Sequence, residues 1–261
     1  MADLEPLLRF WRALDDLFER SEALWWGAVV SDARFPAIQE PNYARVETRQ
    51  PVRLEEIEGS LLPAMRASGS ERSHVVVFHP EDQTDLIVAA STRGERIVWD
   101  MVMVATGREV EPMGEVEPMG EVTEVSAFDG RFWSDHRASA RLFDISDADT
   151  LDQMQTMERD VLIPAGRRWF SVIDGGRRVA LAALLVLEGT GFVDHVVTFP
   201  GARRRGHAEM LTRRCVSEAT SMGADSVYLL AEPDGGAARI YDRIGFERVA
   251  HLASWLAPRD P

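Results

Sequence analysis

The sequence contains no lysine, because all 29 of its Lys and Arg positions are arginine. It also has a single cysteine, Cys215, which excludes an internal disulfide and argues against a zinc site. No apolar run approaches the roughly 20 residues of a membrane-spanning helix, and no basic, apolar signal segment begins the chain. We therefore expect a reduced, cytoplasmic protein without a membrane partner or a bound metal.

Basic charge is scarce as well. The chain has 43 Asp and Glu against 29 Arg, a net charge of −14. Residues 1–122 hold 12 Arg and 23 acids, whereas residues 123–261 hold 17 and 20, so most of the acidic excess lies in the first half. An acidic surface repels phosphate backbones, which argues against nucleic acid as a partner and favours small cations or other proteins.

The composition is that of a globular protein, and 261 residues suffice for one large domain or two small ones. Residues 109–122 read EVEPMGEVEPMGEV, a repeated hexapeptide with Pro and Gly in each copy. Such a segment resists packing and is typical of a solvated linker. We therefore divide the chain into an α/β domain at 1–108, a linker at 109–122 and a second domain at 123–261.

The pattern of apolar residues and turns predicts the elements of both halves. In the first half it predicts one helix over 4–24, an irregular Pro-bounded stretch, and then a helix, strand, helix and strand between 53 and 104. In the second half it predicts two helices, an antiparallel meander, and then strand, helix, strand, helix and strand. This order indicates an α/β fold with a mixed, partly antiparallel sheet.

The most informative stretch is VVTFPGARRRGHA at 196–208. A strand ends at Pro200, a turn carries three arginines, and a helix begins near Gly206. A helix start presents unpaired amides and the positive end of the helix dipole, which favours an anion. Taken alone, the stretch is equally compatible with a solvated basic turn.

Two motifs in the right order resemble the GNAT N-acetyltransferase superfamily over roughly residues 130–261. The first is Arg203-x-x-Gly206-x-Ala208 after a strand, and the second is Ala237-x-x-Ile240-Tyr241-x-x-x-Gly245-Phe246 on a later helix. Two such motifs on the expected elements are far more specific than one glycine-containing loop.

The resemblance implies an enzyme that transfers an acetyl group from acetyl-CoA to a primary amine of a small molecule or protein. It implies that Tyr241 is the general acid that protonates the CoA thiolate, the alternative being a tyrosine packed in the core. A CoA sensor without turnover is the alternative function. The implied CoA-binding residues are Val196, Val197 and Thr198 for pantetheine, and Arg203, Arg204, Arg205, Gly206, His207 and Ala208 for pyrophosphate.

The resemblance does not assign the base that deprotonates the amine. Strand alternation places Phe192, Asp194, Val196 and Thr198 on one face and His195 on the other. We take Asp194 as the candidate base, an ordinary strand carboxylate being the alternative. His195 replaces it if a bulge changes the register of the strand.

The first half contains an echo of the second. Residues 74–104 and 226–255 both read strand, Pro, helix, Gly, strand, as in a smaller, degenerate GNAT-like copy. The first half has no Arg-x-x-Gly-x-Ala, and Ala90 stands where the second has Tyr241. We therefore expect it to have lost catalysis and to close the acceptor cleft or mediate a homodimer. Coincidence is the alternative, because strand-helix-strand units are common.

Overall fold

The computed structural model describes residues 3–70, 73–106 and 121–257. Within them the first half contains α1 (Glu5–Asp15), β1 (Arg20–Leu24), β2 (Gly27–Ser31), β3 (Tyr43–Val46), α2 (Leu54–Ser68), β4 (Ser73–Val77), α3 (Thr84–Thr92) and β5 (Val98–Ala105). The second half contains β6 (Glu121–Glu124), α4 (Gly130–Ala140), α5 (Ala148–Met157), β7 (Arg168–Asp174), β8 (Arg177–Leu187), β9 (Thr190–Thr198), α6 (His207–Ser221), β10 (Ser226–Ala231), α7 (Gly236–Ile244) and β11 (Glu247–Ala257).

All these strands belong to one mixed sheet, in the order β1-β2-β3-β4-β11-β5-β10-β9-β8-β7-β6. The pairs β3–β4 and β9–β10 are parallel, and the other neighbours are antiparallel. The predicted α/β class with a mixed sheet is therefore confirmed.

The two halves interlock at the centre of this sheet. β5, from the first half, lies between β10 and β11 of the second. β11 in turn lies between β4 and β5, both of the first half. Each half therefore supplies a strand that the other half needs to complete its backbone hydrogen bonding.

Apolar side chains cover both faces of the sheet. α2 and α3 pack on one face of the first half through Ile57, Leu61 and Leu86. On the same face of the second half, α6 and α7 pack through Leu211 and Tyr241 among others. α1, α4 and the segment from α5 to residue 162 cover the opposite face. No helix of the described residues is long and apolar enough to cross a membrane.

The predicted helix over 4–24 is wrong beyond residue 15. α1 ends at Asp15, and residues 20–24 form β1, which pairs with β2 in a hairpin that turns at Trp25 and Trp26. The stretch predicted to be irregular contains β2 and β3, whose residues are all buried. Cross-strand pairing decides these elements, and a local apolar pattern does not report it.

Most of the predicted linker lies outside the described residues, which stop at 106 and resume at 121. Glu121 and Val122, which the sequence assigned to the linker, belong to β6. β6 pairs with β7, with Val122 opposite Val172.

Candidate active site

The central feature of the site is the separation of two parallel strands. β9 and β10 pair from Thr190↔Ser226 to Phe192↔Tyr228, and the pairing ends there. Beyond that point a cavity of about 920 Å³ opens, with walls that include Asp194 and His195 from β9 and Tyr241 from α7. The edge of β9 that faces β10 therefore has unpaired backbone groups beside a cavity.

The parallel strand pair in the first half does not separate. β3 and β4 pair from Tyr43↔His74 to Val46↔Val77, and the amide of Phe78 donates to the carbonyl of Val46 at 2.9 Å. The start of α2 is closed too, because the carboxylate of Glu56 accepts from the amide of Arg53 at its own N-terminus. Among the described residues of this half, the parallel strand pair therefore does not open into a cleft.

A β-bulge interrupts β9 at the site. Leu181 faces Val197, but Ala183 faces Asp194, so the register shifts between them. His195 lies in this interval with φ of 52°, in the left-handed region that costs a non-glycine residue roughly 1 kcal/mol.

The bulge overturns the predicted strand face. Phe192 stacks on Phe10 of α1, whereas Val196 packs on the opposite face, against the cluster that contains Leu211. Val196 therefore does not share the face of Phe192, because one extra residue reverses every later position. The ring of His195 lies 5.0 Å from that of Trp169, on the Asp194 side of the strand, so the alternative with a bulge is the one that the structure adopts.

Asp194 is an ion-paired carboxylate. It accepts from Nη2 of Arg167 at 2.8 Å and from the amide of His195 at 2.6 Å, while its side chain remains 54% exposed. Burial alone would raise its pKa, but Arg167 and His195 together bring the pKa below its usual range. Asp194 is therefore ionised, and Arg167 already occupies one of its oxygens.

His195 is held in one tautomer by Ser139. The hydroxyl of Ser139 donates to the carbonyl of His136 at 2.8 Å and lies 2.6 Å from Nε2 of His195. Since that hydroxyl has one proton, Nε2 must be the donor, and Nδ1 keeps its lone pair. Burial lowers the pKa of His195 to about 4, so the ring is neutral near pH 7.

Glu158 is a site residue that the sequence did not single out. It begins a π-helical turn, Glu158–Leu162, lines the cavity and accepts from Nε1 of Trp169 at 2.5 Å. Its Oε2 lies 3.6 Å from Nε of Arg167, and burial raises its pKa. In the sequence, Glu158 directly follows Met157 at the end of an apolar helix pattern. Only the fold shows that its carboxylate faces Trp169 and Arg167.

The arginine turn has the predicted form. Gly206, with φ of 79°, caps α6, and Arg204 also has a positive φ of 64°. The first backbone hydrogen bond of the helix runs from the amide of Met210 to the carbonyl of Gly206. The amides of His207 and Ala208 therefore have no acceptor within the helix. His207 is buried, and neither of its ring nitrogens has a hydrogen-bond partner.

The three arginines of the turn are exposed. Nε of Arg203 donates to the carbonyl of Thr198 at 3.2 Å, and Arg205 lies 3.3 Å from the carboxylate of Asp174. These contacts tie the turn to the end of β9 and to β7. The positive side chains and the unpaired amides therefore lie together, beside the strand edge of Val196, Val197 and Thr198.

Tyr241 lies on α7 with its ring against Phe246 and its side chain on the cavity wall. Burial raises its pKa well above the ordinary value, and the negative charge of Asp194 adds to the effect. The hydroxyl therefore remains protonated across the physiological pH range, as a proton donor must.

Comparisons with known proteins agree with this geometry. The sequence model of the acetyltransferase (GNAT) family matches residues 131–246. A functionally unknown conserved protein from Staphylococcus epidermidis ATCC 12228 is similar in structure, with a TM-score of 0.73 and 11% identity over 95% of this chain and 98% of that chain. A GCN5-related N-acetyltransferase from Kribbella flavida has a TM-score of 0.69 and 20% identity over 96% and 95%.

A GCN5-related N-acetyltransferase from Sphaerobacter thermophilus is similar over 80% of this chain and 67% of that chain, with a TM-score of 0.51 and 20% identity. No curated protein matches the sequence. The first two structures share the fold of nearly the whole chain, whereas the family match is confined to the half that has the separated strands and the arginine turn. Residues 131–246 are therefore a domain of the acetyltransferase (GNAT) family.

Proposed function

We propose that the protein transfers an acetyl group from acetyl-CoA to a primary amine of a small molecule or protein. The observation that carries the proposal is the end of β9–β10 pairing at Phe192 and Tyr228, on a strand that leads through the arginine turn to the start of α6. A free strand edge followed by an anion-binding turn suits a long ligand. The turn would bind its phosphate end, and the strand edge would bind its amide-containing arm.

The residues present fit acetyl-CoA. The amides from Arg204 to Ala208 and the side chains of the arginine turn would hold the pyrophosphate. The free edge of Val196, Val197 and Thr198 would pair with the pantetheine amides. The acidic groups beside this turn are ion-paired: Asp174 with Arg205, and Glu209 of the first turn of α6 with Arg213.

The proposed reaction forms one bond and breaks one. The nitrogen of the neutral amine attacks the thioester carbonyl carbon, and the C–S bond breaks as the C–N bond is retained. Tyr241 donates its proton to the sulfur that leaves. The amine loses two protons through water to solvent and Tyr241 regains one, so an ammonium ion and acetyl-CoA yield an amide, CoA and one proton.

We propose that Nδ1 of His195 accepts a hydrogen bond from the attacking amine, whose proton passes through water to solvent, because burial keeps the imidazole neutral. Its Nδ1 keeps a lone pair and the ring lines the cavity. Asp194, the base expected from the sequence, would have to give up its ion pair with Arg167. Asp194 then acts as a positioning residue that holds Arg167 and the amide of His195.

The test is the release of free thiol from acetyl-CoA in the presence of a panel of amines. Tyr241→Phe should lower kcat by about 10²- to 10⁴-fold, the usual range for a general acid, while CoA affinity stays unchanged. Tyr228→Phe is the matched control, because Tyr228 is equally buried but does not line the cavity. The absence of lysine confines any self-acetylation to the terminal amine, which keeps the background low.

Equal rates for Tyr241→Phe and the wild type would rule out the general-acid role. Tight binding of CoA by calorimetry with no thiol release from any amine would instead support a CoA sensor.

A further inference from the structure

We infer that the acceptor is an organic cation, a primary amine carried on an apolar or aromatic body, and that the first half of the chain forms one wall of its binding cavity. As a statement about the acceptor, this inference rests on the proposed acyl transfer. As a statement about the ligand of the cavity, it stands on geometry and charge alone.

Both halves of the chain line the cavity with aromatic rings. Phe10 of α1 stacks on Phe192 of β9 with ring centroids 5.2 Å apart. Trp11 lies edge-on to Tyr43 at 5.9 Å, and both face the same cavity. Removal of the first half would therefore remove one aromatic wall. These rings suit an apolar body, and their faces also attract a cation.

The charges on the cavity wall are unbalanced. Arg167 is the one arginine among the described residues that line the cavity. Three carboxylates from separate segments attract its positive charge. Asp194 lies 2.8 Å and Glu158 3.6 Å from its guanidinium, and Glu40 contributes a further attraction. Exposed Asp144 and Glu232 line the same cavity as well, so carboxylates outnumber arginine on its described wall, which favours a cationic ligand.

The mouth of the cavity is also negatively charged. Asp144 and Asp147 line it between α4 and α5, and both are exposed. Their fields would attract a cation from solvent and repel an anion.

The hydrogen-bonding groups of the wall point to the same ligand class. His136 is only 3% exposed, lines the cavity, and its Nδ1 has no hydrogen-bond partner. A buried ring nitrogen without a partner carries a free-energy cost that a bound polar group would relieve. The carboxylates and the neutral rings of the wall are mainly acceptors, and an ammonium group is a donor with three protons.

The test separates binding from turnover by means of a cation that cannot be acetylated. With CoA present, calorimetry would compare phenethyltrimethylammonium with its neutral carbon isostere, in which carbon replaces nitrogen, and with 3-phenylpropionate. We expect the cation to bind about 10-fold more tightly than the isostere, and the carboxylate not to bind.

Two variants at the mouth test the source of the preference. The double variant Asp144→Asn, Glu232→Gln should weaken binding of the cation by about 5-fold and leave the isostere and CoA unaffected. Asn tolerates the positive φ of 62° at position 144. The matched control is Glu22→Gln, Asp85→Asn, which removes two exposed charges that do not line the cavity, and it should bind all probes as the wild type does.

Equal affinity for the cation and its isostere, or a preference for the carboxylate, would overturn the inference. Binding of the cation without acetylation of any amine would sink the proposed function and leave the ligand class standing. Efficient acetylation only of amines that carry an anionic body would support the proposed function and overturn the inferred ligand class.

Discussion

Three imidazoles with lowered pKa values distinguish the site at the scale of single residues. Burial lowers the pKa of His74 to about 4 and that of His195 to about 4, and it lowers the pKa of His136 to about 3, with the nearby His195 and Arg167 adding to the shift. His136 and His195 also stack on each other at 5.4 Å, so protonation of either would place a charge beside the other. The fold therefore keeps these rings neutral.

We expect the free energy of unfolding to fall as the pH drops from 6.5 to 4. In this window the unfolded chain binds a proton at each of these histidines and the folded chain does not, so acid favours unfolding. The slope is on the order of 1.4 kcal/mol per pH unit for each histidine. Asp15 opposes the trend, because burial raises its pKa to about 6, and burial also raises the pKa of Glu95, Asp100 and Glu158. The lowered pKa values of His79 and His207 act with the three imidazoles.

Denaturant unfolding at several pH values measures this effect. His136→Gln should show a shallower loss of stability between pH 6.5 and 4 than the wild type does. A constant free energy of unfolding across that window, or an unchanged slope in the variant, would contradict the explanation.

Site residues differ in how far the sequence could predict them. Tyr241 and the arginine turn lie in short motifs whose chemistry is local. Tyr241 lines the cavity, whereas the turn lies at the end of β9, where Arg203 donates to the carbonyl of Thr198. Glu158 and His136 carry no motif. Their roles arise from contacts with Trp169 and His195, which are distant in the chain, and so only the fold reveals them.

At the scale of elements, the start of α6 depends on one glycine. Gly206 has φ of 79°, whereas Gly201, five residues earlier in the same turn, does not have a positive φ. A Cβ would meet nothing within 4 Å at either position, so sterically the two glycines differ only in backbone conformation.

Gly206→Ala should therefore destabilise the turn by about 1 kcal/mol and raise the Kd for CoA several-fold, because alanine resists the left-handed region. Gly201→Ala is the control and should change neither value. Calorimetric titration with CoA measures the effect. Equal affinities for the two variants would show that the conformation of Gly206 does not shape the binding turn.

The elements around this turn show what a local pattern reports. The hydrophobic period and the Pro, Gly and Arg residues predict the end of β9 and the start of α6. The bulge at His195 was foreseen only as an alternative, because cross-strand register with β8 decides it. The same limit explains β1, where pairing with β2 overrides an apolar spacing that suits a helix.

At the scale of the whole molecule, the two halves are not independent in the sheet. β5 pairs with β11 from Val98↔Ser254 to Val104↔Glu247, and with β10 from Met101↔Ala231 to Ala105↔Val227. The predicted division at 108 and 123 rests on composition alone. Composition marks the Pro- and Gly-containing segment but does not show that strands of one half pair with strands of the other.

We expect residues 123–261 produced alone to be unfolded or aggregated, because β10 and β11 would both lose β5 and expose unpaired edges. A protease site placed within 109–120 is the companion experiment. Cleavage there should leave both pieces together on size exclusion, with the circular dichroism of the intact chain. A folded, monomeric second half would show that the interlocked strands are dispensable.

The interlocked centre also constrains the order in which the chain is completed during synthesis. β4 and β5 leave the ribosome early, yet the strand that lies between them, β11, is among the last to be made. Until residue 257 has emerged, the first half must keep two strand edges without their final partner. Nascent chains should therefore be most prone to aggregate and to engage chaperones in the interval before β11 appears.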